Sequence, residues 1–466
     1  MQLDPALLSR VQFGFVVALH FLLPAFTIGL ASYIVMLEGL RLAVKQPGRR
    51  VMYLRISTFW TRIFAVAFGM GVVSGIVIPF QIGSNWSRYT DATASVVAPL
   101  MTYEALMAFF IEAGFLGVLL FGRKLVPPWA HFAAALMVAI GTLFSAFWIL
   151  AANSWMQTPA GFAIVQGRFV PTDWAAVVFS PSFPYRLLHT VTAVYLTTAF
   201  TVLGVAAWYL RHGRHVDEAK VMMAMGVILA SVLVPTQALI GDAHGRNTLA
   251  HQPQKLAAIE GLWETGAGVP AVLLALPDQA AARNRAELAI PKLGSLYLTH
   301  SWRGVVQGLK DFPPADRPPV APVFFGFRVM VGMWTIMLTL SLWASWLAWR
   351  KRLFTTPIFL RAATWSIPVG YVAVTAGWIT TEVGRQPYVV YGFLRTADAV
   401  SPTLTGGDVL ASLLTYIAVY LVIFGAGVYY IVRLLRQGLP EQTEGHELRL
   451  DERPARPLSA ATSANV

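Results

Sequence analysis

Nine stretches of about 20 or more residues, each nearly free of charge and rich in Leu, Val, Ala and Phe, recur along this chain and constrain its fold more than any other feature. Each is long enough to cross a hydrocarbon layer of about 30 Å. Lipid offers no partner to a backbone N–H or C=O, so such segments must bond internally, as helices. Only 12% of the 466 residues are charged and 56% are hydrophobic, with a mean hydropathy of +0.59. Soluble domains carry about twice that charge. The expected fold class is therefore all-α, a polytopic membrane helical bundle of nine transmembrane helices. They are placed at about 11–40, 56–80, 97–122, 128–152, 185–210, 219–241, 321–349, 358–382 and 408–434. Pro127-Pro128, Pro184 and Pro357 mark the starts of the fourth, fifth and eighth. The first run is too long for a signal-peptide core and is read as a retained helix.

Loop charge orients the bundle. The first connection holds Arg41, Lys45, Arg49, Arg50 and Arg55, the third Arg123 and Lys124, the fifth Arg211, Arg214 and Lys220, and the seventh Arg350, Lys351 and Arg352. The second and fourth are poor in Lys and Arg. The positive-inside rule then predicts an N-terminus outside and a C-terminus in the cytoplasm. The same topology accounts for the formal charge of +12, so no nucleic-acid partner is expected. Four parts follow: helices one to six over 1–241, a long polar extracytoplasmic segment over 242–320, helices seven to nine over 321–437, and a polar cytoplasmic tail over 438–466, read as disordered.

Cysteine is absent, which excludes disulfides, iron–sulfur clusters and thiolate chemistry in this chain. Any metal must be held by His, Met or carboxylate. His20, Glu104, Glu112, His189, Met330 and Glu382 lie within or at the ends of the apolar segments. A charged or titratable group at membrane depth costs roughly 2.5 kcal/mol or more, so each needs a partner or a task. In the expected topology His20, His189, Met330 and Glu382 all belong to the outer half of the membrane. One-sided clustering is what a row of haems near one face requires.

Each of these residues also has an ordinary reading. A membrane His bonds helix to helix, a Met fills a core, and a terminal Glu reaches the interface. Arg328 beside Met330 favours the ligand reading, because haem propionates need cations and a buried Arg needs an anion. His with Met is a low-spin haem pair. On the third helix Glu104 and Glu112 stand eight residues apart, about 12 Å along an α-helix and offset by about 80° around it. Such a ladder suits a proton relay better than two separate interhelical bridges, and Ser145 and Asn153 on the fourth helix would extend it.

At these residues the chain resembles subunit I of the cytochrome bd quinol oxidases, including their cyanide-insensitive branch. The matching stretches are Ser9-Arg-Val-Gln-Phe with Leu19-His-Phe, Glu104-Ala-Leu-Met-Ala-Phe-Phe-Ile-Glu112, Trp148-Ile-Leu-Ala-Ala-Asn-Ser-Trp-Met-Gln157 and Leu188-His-Thr-Val. They continue with Lys255-Leu-Ala-Ala-Ile-Glu260, Phe327-Arg-Val-Met-Val-Gly332 and Gly377-Trp through Glu382-Val-Gly-Arg-Gln-Pro387. The resemblance covers nearly the whole chain except the tail.

It implies that His189 and Met330 ligate the iron of a low-spin haem b. His20 and Glu382 would ligate two high-spin haem irons, one a haem b and one a haem d or a third haem b. Glu104 would stand beside the oxygen-reducing haem and Glu112 would lead protons to it. Arg10, Arg328, Arg385 and Trp378 would surround the haems. Lys255 and Glu260 would belong to the loop that oxidises ubiquinol or menaquinol. The resemblance also implies an electrogenic terminal oxidase of a bacterial cytoplasmic (inner) membrane, reducing O2 with protons from inside and without a pump. Subunit II and a small single-helix accessory subunit would be its partners in the lipid bilayer. The stretch between Glu260 and Phe327 is short for the family, which suggests a short-loop form.

Two rivals make different demands. A proton-coupled secondary transporter predicts discontinuous helices at matching positions of two repeats, whereas these helices read as continuous and no repeat is visible. A haem-b electron-transfer subunit without an oxygen site leaves His20, Glu382 and the acidic ladder idle.

Overall fold

A computed structural model describes residues 4–440. Among them, nine helical segments are long and apolar enough to cross a membrane: Pro5–Ala43, Pro47–Asn85, Ser87–Lys124, Pro128–Gln157, Trp174–Arg211, Val216–His251, Val320–Trp349, Pro357–Val383 and Gly406–Gln437. Number and order follow the sequence expectation, but the lengths do not. The second segment runs on to Asn85 and the third starts at Ser87, leaving Trp86 as the whole connection. The sixth continues past 241 to His251. Hydropathy marks where the hydrocarbon ends, whereas helical hydrogen bonding has no reason to stop there. Gln81, Asn85 and Arg246 lie within these helical extensions.

Continuity is the expectation that fails. The first segment breaks at Leu23, because Pro24 has no N–H to offer and the Leu23 N–H turns back to the His20 carbonyl at 3.0 Å. The eighth is split at Ser366–Pro368 into Pro357–Trp365 and Val369–Val383. The fifth opens with a short helix, Trp174–Val178, before Phe183–Arg211. In the third, Tyr103–Ala108 is a π-helix that contains Glu104. The 80° offset between Glu104 and Glu112 assumed an α-helix throughout and does not survive this wider turn.

The segment between the sixth and seventh spans has secondary structure of its own. A helix, Pro253–Glu260, is followed by the pair Gly266–Ala267 with Val305–Val306, the antiparallel hairpin Ala271–Asp278 with Arg283–Ile290, and a helix at Leu293–Thr299. The ninth helix ends at Gln437. Residues 441–466, most of the tail expected to be disordered, lie outside the described residues.

Packing is uneven along the membrane normal. Buried residues crowd Ala25–Arg41 of the first span, Ile56–Met70 of the second, Thr192–Tyr209 of the fifth and Glu218–Val234 of the sixth, all towards one face. The largest apolar cluster, from Leu30, Trp60 and Phe64 to Tyr209 and Phe359, fills that half. A buried polar knot ties the same end. Glu38, fully enclosed, meets Arg123 Nη1 at 2.8 Å and Arg41 Nη1 at 3.1 Å, accepts from Ser57 Oγ, and has His131 Nδ1 at 3.6 Å. Four spans contribute to it. Sequence reading singled out none of these residues as a set, since they are far apart along the chain.

Candidate functional site

The opposite half of the bundle is more open, and the candidate ligands lie there. Burial in the first span lapses between Val16 and Leu23, and His20 sits in that interval. In the fifth it lapses between Arg186 and Thr192, around His189. In the seventh it lapses from Phe324 to Met337, around Met330. All three side chains are half-buried.

Small residues face these ligands. A Cβ added at Gly377 would stand 2.9 Å from Met330 Sδ, and one at Gly75 would stand 3.0 Å from His20 Cε1. A side chain at either position would push the ligand-capable group aside. Gly241 faces the His189 ring, with 3.7 Å from its ideal Cβ to Cε1. His20 Nδ1 lies 2.9 Å from Ser74 Oγ, and that hydroxyl also reaches the Met70 carbonyl at 2.9 Å. With the Ser74 proton given to Met70, the serine oxygen accepts from Nδ1–H. The Nε2 lone pair is then free for a metal, the tautomer that ligating histidines adopt. His189 Nδ1 is buried without a hydrogen-bond partner, and its ring lies edge-on to His244 at 5.3 Å.

Glu382 ends the eighth span inside a network of donors. Asn153 Nδ2 reaches its Oε1 at 3.0 Å and Arg385 Nη2 reaches its Oε2 at 2.5 Å. Gln157 Nε2 is 3.5 Å from Oε1. Arg186 donates to Asn153 Oδ1 and, at 3.1 Å, to Ser154 Oγ. Lys255 Nζ donates to Gln157 Oε1 at 3.0 Å and to Gln252 Oε1 at 3.2 Å. Arg385 thus pairs with the Glu382 carboxylate directly, while Arg186 and Lys255 reach it through Asn153 and Gln157. Burial, and after it the Arg186 charge, holds the Lys255 ammonium well below its usual range. Arg385 Nε and Nη1 and Arg328 Nε remain buried without partners. A surplus of buried, under-used cationic donors calls for an anion of the propionate kind.

Lys255 and Glu260 share the short helix but face different ways. Gly261, at φ +68°, caps the helix in the left-handed region and leaves Glu260 at its end. The Glu260 carboxylate accepts from Tyr297 Oη and has Arg328 Nη2 at 4.0 Å. Burial pushes the Glu260 carboxyl up from its ordinary value, against the opposing pull of Tyr297 and Arg328. Arg328 itself is pinned by the Ile259 and Val272 carbonyls, both at 2.5 Å, and stacks on Phe324 at 3.4 Å.

On the third span Glu104 Oε1 accepts from Ser145 Oγ at 2.8 Å. Glu112 is 7% exposed, and among the described residues its carboxylate has no ion-pair partner. Asn153, grouped with this ladder at the outset, instead serves Glu382. Arg10 is exposed and lines a cavity of about 400 Å³ with Asp4, Arg317, Arg395 and Gln386-Pro387, next to Arg385. Trp378 is half-buried between Gly377 and Glu382. Sequence reading missed Arg186, Tyr297, His244 and Ser74. A buried Arg three residues before His189 was the available signal for the first. Nothing local marks the others.

Among the described residues no three His, Cys, Asp or Glu side chains converge to hold a bare ion. An iron already held by four macrocycle nitrogens needs only one or two protein ligands, so single His, Met and Glu residues beside spare cations suit haem and little else. A helical membrane haem protein is the class that this fold and site define. The comparisons narrow it. The family model described as cytochrome bd terminal oxidase subunit I matches residues 8–439. The chain is 33% identical to the cytochrome bd ubiquinol oxidase subunit 1 of Bacillus subtilis (strain 168), covering 96% of this chain and 97% of that one. It is 31% identical to the cytochrome bd-II ubiquinol oxidase subunit 1 of Escherichia coli (strain K12), covering 92% and 96%. Its fold matches the bd oxidase structure from Geobacillus thermodenitrificans with a TM-score of 0.85 and 28% identity, over 94% of this chain and 99% of that one. This chain belongs to the cytochrome bd terminal oxidase subunit I family.

Proposed function

We propose that the open half of the bundle houses three haems between a quinol-oxidising site at Glu260 and an oxygen-reducing site beside Glu104. The chain is a subunit of a respiratory quinol oxidase, a multi-pass membrane enzyme that uses haem, quinol and O2 and works with a subunit II. The observation that carries the finer reading is the coincidence of four ligand-capable side chains with one surplus of buried cations. His189 and Met330 would hold the low-spin haem b. His20 and Glu382 would hold the two high-spin haems, one of b type and the other haem d or a third haem b. Arg328, Arg385, Arg186 and Arg10 would neutralise propionates, with Trp378 packed between. The haems supply electron transfer and oxygen activation when bound.

The chain's own residues handle protons. Two quinols give four electrons and four protons, and one O2 takes four of each to form two waters. Glu260, buried and held by Tyr297 and Arg328, accepts the quinol proton. Lys255, turned towards Gln157, positions the Glu382 network. Glu112, Glu104 and Ser145 carry protons from the opposite side. Loop charge supports an N-terminus outside and a C-terminus inside, which puts proton release outside and proton uptake inside. Charge separation then needs no pump. The setting is the bacterial cytoplasmic membrane, with ubiquinol or menaquinol as reductant and a single-helix accessory subunit alongside. The breaks in the first, third and eighth spans are of the kind a transporter needs. They do not fall at matching positions of two repeats, so they favour no transporter.

An optical spectrum of the purified complex, with pyridine extraction to count haem types, tests the reading. Three haems per complex with one low-spin centre is the expected result, and a protein without haem bands overturns it. Glu260→Gln is expected to slow quinol oxidation by roughly 100-fold or more, the usual contribution of a positioned base, with all haem spectra unchanged. Normal turnover at saturating quinol, or loss of haem, would count against that role. Tyr297→Phe removes a donor that steadies the Glu260 carboxylate. Because the base works deprotonated, the acid limb of the pH–rate profile should move to higher pH by about 1–2 units, the worth of a charged hydrogen bond. A uniform loss of rate with the limb unmoved would make Tyr297 merely structural.

A further inference from the structure

The hairpin Ala271–Asp278 with Arg283–Ile290 has two faces of the same character but different company. Val272 and Ala275 are buried against Phe324 of the seventh span. Leu273, Leu274, Leu276, Leu288 and Ile290 are between 44% and 58% exposed. Five large apolar side chains on one short hairpin form a surface that water alone does not stabilise.

The hairpin's position suggests what covers it. At its base, Val272 O accepts from Arg328 Nη2 at 2.5 Å. At its tip, Gln279 Oε1 accepts from Val320 N at 3.1 Å and Gln279 Nε2 reaches Pro318 O at 3.4 Å. Val320 is the first residue of the seventh span and Arg328 lies eight residues further in, about 12 Å deeper along the helix. The hairpin therefore lies along the outermost turns of a membrane-spanning helix, base deep and tip shallow. Its pairing follows the same gradient. Ala271 faces Ile290 and Leu274 faces Leu288 at the base, whereas Asp278 faces Arg283 at the tip and Arg285 pairs with Asp278. On the same turns of the seventh span Phe325 and Val329 are exposed, as lipid-facing residues are. Apolar residues at depth and arginines at the headgroup level are the pattern of an interfacial anchor.

We propose that the exposed face of this hairpin is seated in the headgroup–acyl boundary of the bilayer, with phospholipid as its occupant. The proposal rests on the membrane crossing of the seventh span and not on the haem or quinol assignments. Through Arg328, which also bonds Ile259 O, the seat fixes the level of Glu260 relative to the lipid.

The chain's lack of cysteine makes the test clean. Leu288→Cys and Ala281→Cys are each labelled with a nitroxide in the complete oxidase, in nanodiscs of phosphatidylethanolamine and phosphatidylglycerol, with any partner-subunit cysteines replaced by serine and the cysteine-free complex labelled in parallel as the background. An unchanged haem spectrum certifies each variant as folded. Without quinol present, the label at 288 is expected to collide several-fold more with dissolved O2 than with a water-soluble nickel chelate. The label at 281, in the turn, should show the reverse. Chelate-dominated collisions at 288 would mean the face meets water, and low values for both probes would mean protein covers it. A fall in O2 collisions on adding a long-tailed quinone would assign the face to the quinol tail. Any of these three results overturns the proposal.

Discussion

Met330→Leu is expected to yield a folded, membrane-inserted oxidase that lacks a normal low-spin haem. Leu matches Met in volume and apolarity, and such swaps usually cost less than about 1.5 kcal/mol. The sulfur lies against Gly377, which presents no side chain for the new branch to strike. What disappears is the thioether lone pair. Low-spin absorbance should be lost, or its potential lowered, while the high-spin bands persist. Quinol-driven O2 uptake should fall by at least roughly 100-fold, since even a supporting residue of a metal centre can cost that much. An unchanged low-spin spectrum and potential in this variant would remove Met330 from the ligand set.

Glu112→Ala should be comparably severe at a different step. Glu112 is enclosed on the third span, beyond the π-helix that carries Glu104 and towards the end that carries Arg123 and Lys124. If it hands protons towards Glu104, alanine should slow the proton-coupled phase of oxygen reduction by roughly 100- to 10,000-fold. Reduction of the low-spin haem by quinol should stay normal. Glu112→Asp should keep part of the rate, because the carboxyl survives on a shorter arm. A purely structural Glu112 predicts instead that both variants lose protein and haem together. Flow-flash kinetics on a fully haem-loaded Glu112→Ala enzyme decide the matter, and a normal trace would end the relay reading.

The Glu382 network shows how far a linear reading reaches. Glu382, Arg385 and Asn153 were legible as chemistry-bearing residues in their own stretches. That Asn153 serves Glu382 and not the acidic ladder became visible only when the fourth and eighth spans were packed together. Lys255 and Glu260 were read together, as residues of one quinol-oxidising loop. Folding turns one to Gln157 and the other to Tyr297 and Arg328. Tyr297 has no local signature, because its role comes from a contact 37 residues away in sequence.

By itself the sequence determined that this chain forms, among the described residues, a bundle of nine apolar helices with ligand-capable residues towards one end. Both follow from a local cost: apolar runs must leave water, and each titratable group left within them must have a use. The tertiary structure decided where the helices break, which half packs tightly, and which cations converge on Glu382. Those outcomes depend on hydrogen-bond and packing partners from distant spans, and periodicity in one dimension carries no information about such partners.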